Sequence, residues 1–460
     1  MTRVATSINT LVKADCRLSD GVRRIRLSGR PVNPGAPRIS ERESNLKRRD
    51  FLQAAAALAA ATVVPPLAWA QEKSKLKITG IRLVQTKPKR PYPDYKPDPN
   101  SWSTQGVEVS APLNIYPEYK PTRSLFAAKG VQSFTVEVTT DKGITGYGDG
   151  GPGGGPIVMG HLAQLMMGRD PFDTERNWDI NWRATESYGQ EGVTMNAISG
   201  FDNALWDIVG KALDVPIYVL LGGETKPRVP AYCTGNDIEQ HVEHGFKRVK
   251  VAMPFGPPSG NEGMHGNVAL VERARKAVGP DGDVMCDCWM SWDEPYTIEM
   301  CRLMEPYHVK WVEEVLPPYD MAGFGRLKKE IKSTLIATGE HIYGRYGFRR
   351  LLEADGASIW QPDVTWCGGM SELRRIGALA SAYDIPVIPH GGGLNGAVQW
   401  SISHVNGPWA ELFMPPPGGP KEVYDLFDEN YEISKGPEGL YMHPPRKPGW
   451  GLDLEVIGPA

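Results

Sequence analysis

The sequence predicts an α/β protein in which a parallel (β/α) barrel follows an N-terminal α+β region, and three observations carry that prediction. Short apolar runs alternate with helical stretches from residue 228 onward, the pattern of strand–helix units that build a parallel sheet. Five of those runs close on a polar side chain at nearly even intervals: Asp287, Glu313, Glu340, Asp363 and His390. Ahead of them, residues 76–148 read as a strand followed by a hairpin, which marks a separate antiparallel sheet.

At 460 residues the chain is long enough for two domains, or for one barrel with additions. A net charge of −3 gives no electrostatic footprint for nucleic acid. The 51 glycines and 40 prolines predict long shaped loops, because a hydrophobic content of 41% still supplies a core. Cys16, Cys233, Cys286, Cys288, Cys301 and Cys367 match neither a zinc ribbon nor a disulfide framework, and they read as small buried hydrophobes.

Residues 1–45 are arginine-rich, with Arg23, Arg24 and Arg26 close together, and carry no hydrophobic period, so no fold is predicted there. Lys47-Arg48-Arg49-Asp50-Phe51-Leu52 then leads into an alanine-rich apolar run and the small-x-small end Ala68-Trp69-Ala70. That order reads as an export signal of twin-arginine type. Cleavage after Ala70 and a periplasmic product are predicted, with no stable membrane span left behind, since the apolar run is too short and too rich in alanine.

The first predicted strand begins at Leu76, and 131–139 with 143–148 form the hairpin. The Pro/Tyr-rich stretch 87–129 between them is long for a loop, which suggests an active-site lid. Gly148 to Pro156 lacks a Gly-Lys-Ser/Thr sequence and reads as a second loop over the barrel mouth. Helical spacing is strong from Val193 to Leu213, where Ala197, Phe201, Leu205, Ile208 and Ala212 share one face, and Phe201 and Trp206 read as core. Eight barrel strands follow at 228–233, 248–253, 284–289, 309–313, 335–340, 357–363, 386–390 and 411–414.

In a parallel barrel the C-terminal strand ends converge on one face, and polar residues there read as catalytic. Asp287, Glu313 and Glu340 offer only carboxylate oxygens, a donor set that suits a hard divalent cation, and Mg²⁺ is expected. His390, with Asp363 one strand earlier to hold its tautomer, has the make-up of a base that takes a proton from carbon.

The segments Asp287-Cys288-Trp289-Met290-Ser291, Lys310-Trp311-Val312-Glu313-Glu314, Gly339-Glu340-His341, Gln361-Pro362-Asp363-Val364, Trp366-Cys367-Gly368-Gly369 and Pro389-His390-Gly391 resemble the motifs of the enolase superfamily, mandelate-racemase-like branch. The resemblance spans roughly residues 76–460. It implies a modified (β/α)7β TIM barrel at 226–414, with an N-terminal α+β capping domain at 71–225 that is completed by 415–460. It also implies Asp287, Glu313 and Glu340 as Mg²⁺ ligands, and His390 as the base that removes the proton α to a substrate carboxylate, supported by Asp363. Arg123 in the lid loop, Lys250, His341 and Glu411 match positions that bind substrate. The implied reaction is dehydration of a small-molecule acid sugar to a 2-keto-3-deoxy acid, by a homo-oligomer for which an octamer is one form.

Racemases of the branch carry Lys-x-Lys on the second barrel strand, and here the stretch reads Lys250-Val251-Ala252. One base suffices for elimination, whereas a two-base proton transfer needs another. Asn100-Ser101-Trp102 and His390-Gly391-Gly392-Gly393 depart from the usual pattern, so the acid sugar itself stays open. An acid-sugar epimerase, another carboxylate enzyme of the superfamily, or a noncatalytic periplasmic sugar-acid binder are the rival readings.

Overall fold

The computed structural model describes residues 75–88, 109–119, 131–392, 396–413 and 432–459, and all of them belong to one compact unit, 66–460. The leader, the export signal, the cleavage site at Ala70, Ser101 and Arg123 lie outside the described residues. Among the described residues no helix is long and apolar enough to cross a membrane.

The first layer is a four-stranded antiparallel sheet. β1 (Ile78–Pro88) pairs with β2 (Phe134–Thr140), β2 with β3 (Thr145–Gly150), and the last strand of the chain, β13 (Leu454–Pro459), pairs with the free edge of β1. The helical segment 155–166 packs against β1 and β2, α1 (Thr174–Thr185) packs on α2, and α2 (Val193–Leu213) lies across β3. α2 is buried on nearly every side: Ala197, Phe201, Leu205, Ile208 and Ala212 pack into the sheet's core, while Trp206 joins the core of the barrel. The helix lies this close to β3 because of glycine. A Cβ at Gly146 or Gly148 would run into the backbone of Ala204.

The second layer is the barrel. β4 (Val229–Thr234), β5 (Arg248–Ala252), β6 (Asp283–Asp287), β7 (Trp311–Glu313), β8 (Leu335–Thr338) and β9 (Ile359–Trp360) pair in parallel in chain order, and β10 (Ala410–Phe413) pairs with β4 to close the ring. The helices between them are α3 (Ile238–His244), α4 (Gly260–Val278), α5 (Glu294–Met304), α6 (Met321–Glu330), α7 (Gly344–Glu353), α8 (Gly369–Ser381) and α9 (Val398–Ser403). Tyr232, Met285, Trp311, Ala337 and Ile359, each from a different strand, fill the interior together with Ile388. Cys286 and Cys288 point the other way, into the packing between strands and helices, where every described cysteine is a buried thiol.

Three expectations are corrected. The seventh strand, expected at 386–390, is a single bridge between Val387 and Trp360, because Pro386 and Pro389 have no N–H to give to a ladder. Glu340, Asp363 and His390 therefore stand past their strands rather than at the ends: Gly339 breaks β8 with φ 144°, and Pro362 follows β9 closely. The described part of the closing segment, 432–459, does not pack wholly on the first sheet either. β11 (Ile433–Gly436) and β12 (Gly439–Met442) form a hairpin that pairs with β4 of the barrel, and only β13 returns to β1.

Candidate active site

The polar layer sits directly above the apolar filling of the barrel. Lys250, in the middle of β5, is 1% exposed, and its Nζ lies 2.5 Å from Glu313 Oε1, 2.8 Å from Glu411 Oε1 and 3.5 Å from Asp287 Oδ2. Register explains the gathering: in parallel pairing Ala252 stands beside Asp287, and Asp287 beside Glu313. The ammonium is sealed among carboxylates. Glu313 also accepts hydrogen bonds from Trp311 Nε1 at 3.1 Å and Gln361 Nε2 at 2.6 Å. Glu411 accepts from the Thr234 hydroxyl and from the Gly391 N–H at 2.7 Å, which ties the floor of the site to the residue after His390.

The wall is made by two imidazoles. His390 Nδ1 lies 2.7 Å from Asp363 Oδ2, and its Nε2 is 3.4 Å from Glu340 Oε1. A carboxylate only accepts, so Nδ1 carries a hydrogen and Nε2 faces the cavity. The other Asp363 oxygen accepts from Thr365 N at 2.6 Å and Thr365 Oγ1 at 2.7 Å. His341 Nδ1 meets both oxygens of Glu314, at 3.0 and 2.8 Å, and its backbone N–H donates to the same carboxylate at 3.2 Å. The Trp366 ring stands between the imidazoles, with centroids 5.0 Å from His341 and 5.7 Å from His390.

Charge in this cavity is unbalanced. Asp287, Glu313, Glu314, Glu340, Asp363 and Glu411 are all buried, facing one lysine and two imidazoles. Burial pushes the Glu313 carboxyl up to about 8 against the pull of Lys250, and pushes Glu340 up to about 7 against His390 and His341. Glu411 goes the other way: Lys250 and His390 overcome burial and hold it at about 2. Burial alone would lower His390 and His341, but the surrounding carboxylates raise the first well above its ordinary value and the second to about 9. Gln361 Oε1, on the amide whose nitrogen donates to Glu313, is buried without a hydrogen-bond partner. An excess of buried negative charge and an orphaned oxygen suit a bound cation.

The structure thus brings His390, Asp363, Glu340, Asp287, Glu313, Glu411, Lys250 and His341 to one end of the barrel. It does not gather the expected metal trio by itself: Asp287 and Glu313 turn to Lys250, and the donor atoms within 4.8 Å of one another, among the described residues, belong to Glu314, Glu340 and His341. Glu314 was not assigned a role from the sequence. Strand alternation sends it away from the axis next to inward Glu313, but its left-handed backbone, φ 46°, swings the side chain to His341. Trp289 and Met290, at φ 42° and 64°, turn in the same way after Asp287, and the Trp289 N–H donates to Asp287 Oδ1 at 3.0 Å. That turn ends β6 two residues earlier than expected.

Comparison with known proteins gives matches along most of the chain. Residues 114–222 match the mandelate racemase / muconate lactonizing enzyme N-terminal domain, residues 235–456 the enolase C-terminal domain-like family, and residues 45–65 the twin-arginine translocation pathway signal sequence. An L-rhamnonate dehydratase of Saccharopolyspora erythraea is 39% identical over 325 residues, 70% of this chain and 83% of the relative. A protein named putative L-rhamnonate dehydratase in Caldivirga maquilingensis is 38% identical over 348 residues, 75% of this chain and 87% of the relative. The crystal structure of rhamnonate dehydratase from Gibberella zeae complexed with Mg superposes with a TM-score of 0.73 at 35% identity, covering 82% of this chain and 94% of that one.

Proposed function

Because the chain belongs to the enolase superfamily, in its mandelate racemase / muconate lactonizing enzyme branch, we propose that it dehydrates an acid sugar of the L-rhamnonate kind to a 2-keto-3-deoxy acid. The observation that carries the reading is the pairing of His390 with Asp363 beside Glu340, opposite a lysine whose ammonium is already engaged by three carboxylates. One imidazole is available as a carbon base, and no second base faces it from β5, where Ala252 stands.

Asp287, Glu313 and Glu340 are the residues that would hold Mg²⁺. The alternative set, Glu314 with Glu340 and His341, is a poorer fit, since it replaces one carboxylate with an imidazole nitrogen and Mg²⁺ favours oxygen ligands. Bound there, Mg²⁺ would stabilise the negative charge that develops on the substrate carboxylate as the α-proton leaves. His390 Nε2 takes that proton while Nδ1–H stays on Asp363, and the imidazolium then returns a proton to the departing 3-hydroxyl. His341, kept cationic by Glu314, supplies a donor to the anionic end of the substrate. Lys250 acts through Glu313 and Glu411 rather than by touching substrate, and Glu411 anchors Gly391 beside the base. Arg123 is proposed to reach the substrate from the lid segment.

The twin-arginine match supports export, and the proposal extends to a periplasmic product cleaved after Ala70 and to a homo-oligomer, which light scattering would size. The domain limits proposed are 71–225 for the cap, 226–414 for the barrel and 415–460 for the closing segment.

The test is a screen of residues 71–460 with Mg²⁺ against C5 and C6 acid sugars, following 2-keto-3-deoxy products, with chelator as control. His390→Asn is expected to abolish turnover and leave Mg²⁺ binding unchanged; unchanged turnover removes His390 as the base. Exchange of the C2 hydrogen with solvent but no dehydration would favour an epimerase, and binding without exchange a noncatalytic binder.

A further inference from the structure

The dyad is held from behind by a device that no motif names. Asp363 uses one carboxylate oxygen for His390 and the other for the N–H and hydroxyl of Thr365, so its plane is fixed at both ends. The bonds from Thr365 form an Asx-type turn, tightened by Cys367 N–H donating to Asp363 O at 2.7 Å. Thr365 is anchored in turn, and its anchor comes from the other layer. The Gly151 N–H donates to Thr365 O at 2.9 Å, and Asn203 of α2 spans the loop, donating to Val364 O and accepting from the Met370 N–H at 3.1 and 3.0 Å. Asn203 Nδ2 also donates to Asp149 O at 3.1 Å, so β3, α2 and the loop after β9 share one side chain.

We propose that Thr365 is a positioning residue for the base, and that the capping layer sets the direction of His390 through it, by way of Gly151 and Asn203. The inference rests on the reading of His390 as the carbon base. Its physical content is a choice of rotamer: Asp363 can present either oxygen to the imidazole or swing away from it, and the Thr365 hydroxyl removes that freedom. Trp366, the next residue, lies against both imidazoles, so the same turn also sets the spacing between His390 and His341. Pre-organisation of this kind is expressed in the chemical step rather than in binding.

Thr365→Val keeps the shape and the backbone bond but deletes the hydroxyl, and Thr365→Ser restores it. With the Mg²⁺-loaded mature enzyme, Thr365→Val is expected to lower kcat by about 10- to 100-fold, with KM changed by no more than about threefold. Thr365→Ser should recover kcat to within about threefold of the wild type. A second readout needs no turnover: in ¹⁵N-histidine-labelled protein, the Nδ1–H signal of His390, assigned by its loss in His390→Asn, should persist in Thr365→Ser and broaden or shift in Thr365→Val. Equal melting temperatures of the two variants exclude simple misfolding. An unchanged His390 signal in Thr365→Val, or a loss of kcat that Thr365→Ser does not restore, overturns the proposal. A wild-type enzyme that dehydrates no acid sugar overturns the functional reading instead, and the imidazole signals still decide the positioning role.

Discussion

Replacing Lys250 by Met tests the charge balance at the heart of the barrel. The methionine fills the same space but leaves Glu313 and Glu411, both fully buried, without the ammonium that lies 2.5 and 2.8 Å away. Breaking a buried pair in this way costs about 3–5 kcal/mol, because the stranded charge has no water to turn to. Linkage gives the same order: a carboxyl moved from 4.5 to about 2, as Glu411 is, accounts for about 3 kcal/mol of stability. In the wild type that depressed value means the contribution is present above the unfolded value and is lost only as pH falls through about 2. In the variant the sign reverses. Glu411 then titrates above its unfolded value, so the penalty is full at high pH and is relieved as pH falls and the carboxyl takes up a proton. The assay is urea unfolding of metal-free protein, followed by far-UV circular dichroism at pH 8 and at pH 5. A gap of several kcal/mol that narrows at pH 5 is expected. A gap below about 1 kcal/mol, or one that widens on acidification, refutes the assignment of Lys250 as the counter-charge.

Three further outcomes follow from other contacts. Asp363→Asn should lower kcat by about 10²- to 10⁴-fold in steady-state assays, because an amide can donate to Nδ1 and so select the wrong tautomer; a loss below tenfold counts against the dyad. His241 is buried with Nδ1 unpartnered, and burial, helped by His244, lowers it to about 4. A base depressed in this way gives stability that is complete above about 6.5 and is lost as pH falls toward 4, by about 3 kcal/mol in all, so His241→Leu should flatten the acid limb of the unfolding curve. Gly151→Ala would drive a methyl into Trp366 and Asn196, costing about 1–3 kcal/mol in thermal unfolding and shifting tryptophan fluorescence; an unchanged spectrum would show that the loop yields freely.

Much of this site was legible in the sequence because a parallel barrel repeats itself. Strand and helix recur at a near-constant length, so Asp287 and Glu313 announce themselves by interval, and the structure ends β6 and β7 on them. The limits of that reading are local and physical. Pro362, Pro386 and Pro389 shorten the ladders, which moves Asp363 and His390 beyond the strands without taking them from the cavity. Alternation hides Glu314, since only a left-handed backbone brings it to His341, and no pattern of residue types encodes φ for a glutamate. The role of Lys250 as counter-charge is hidden in the sequence because its three partners come from three other strands. The stretch from Gly148 on reads as a loop, but Gly148 and Gly150 belong to β3, where Gly148 lets α2 come close.

The pairing of β13 with β1 imposes an order of events on synthesis. β1 must wait for β13 to be made before its outer edge is covered. A ribosome-bound or truncated polypeptide therefore displays an open β edge, a ready template for aggregation, even after the rest of the barrel has formed. Because β13 supplies the partner for β1, covering that edge joins two strands that lie far apart in the sequence.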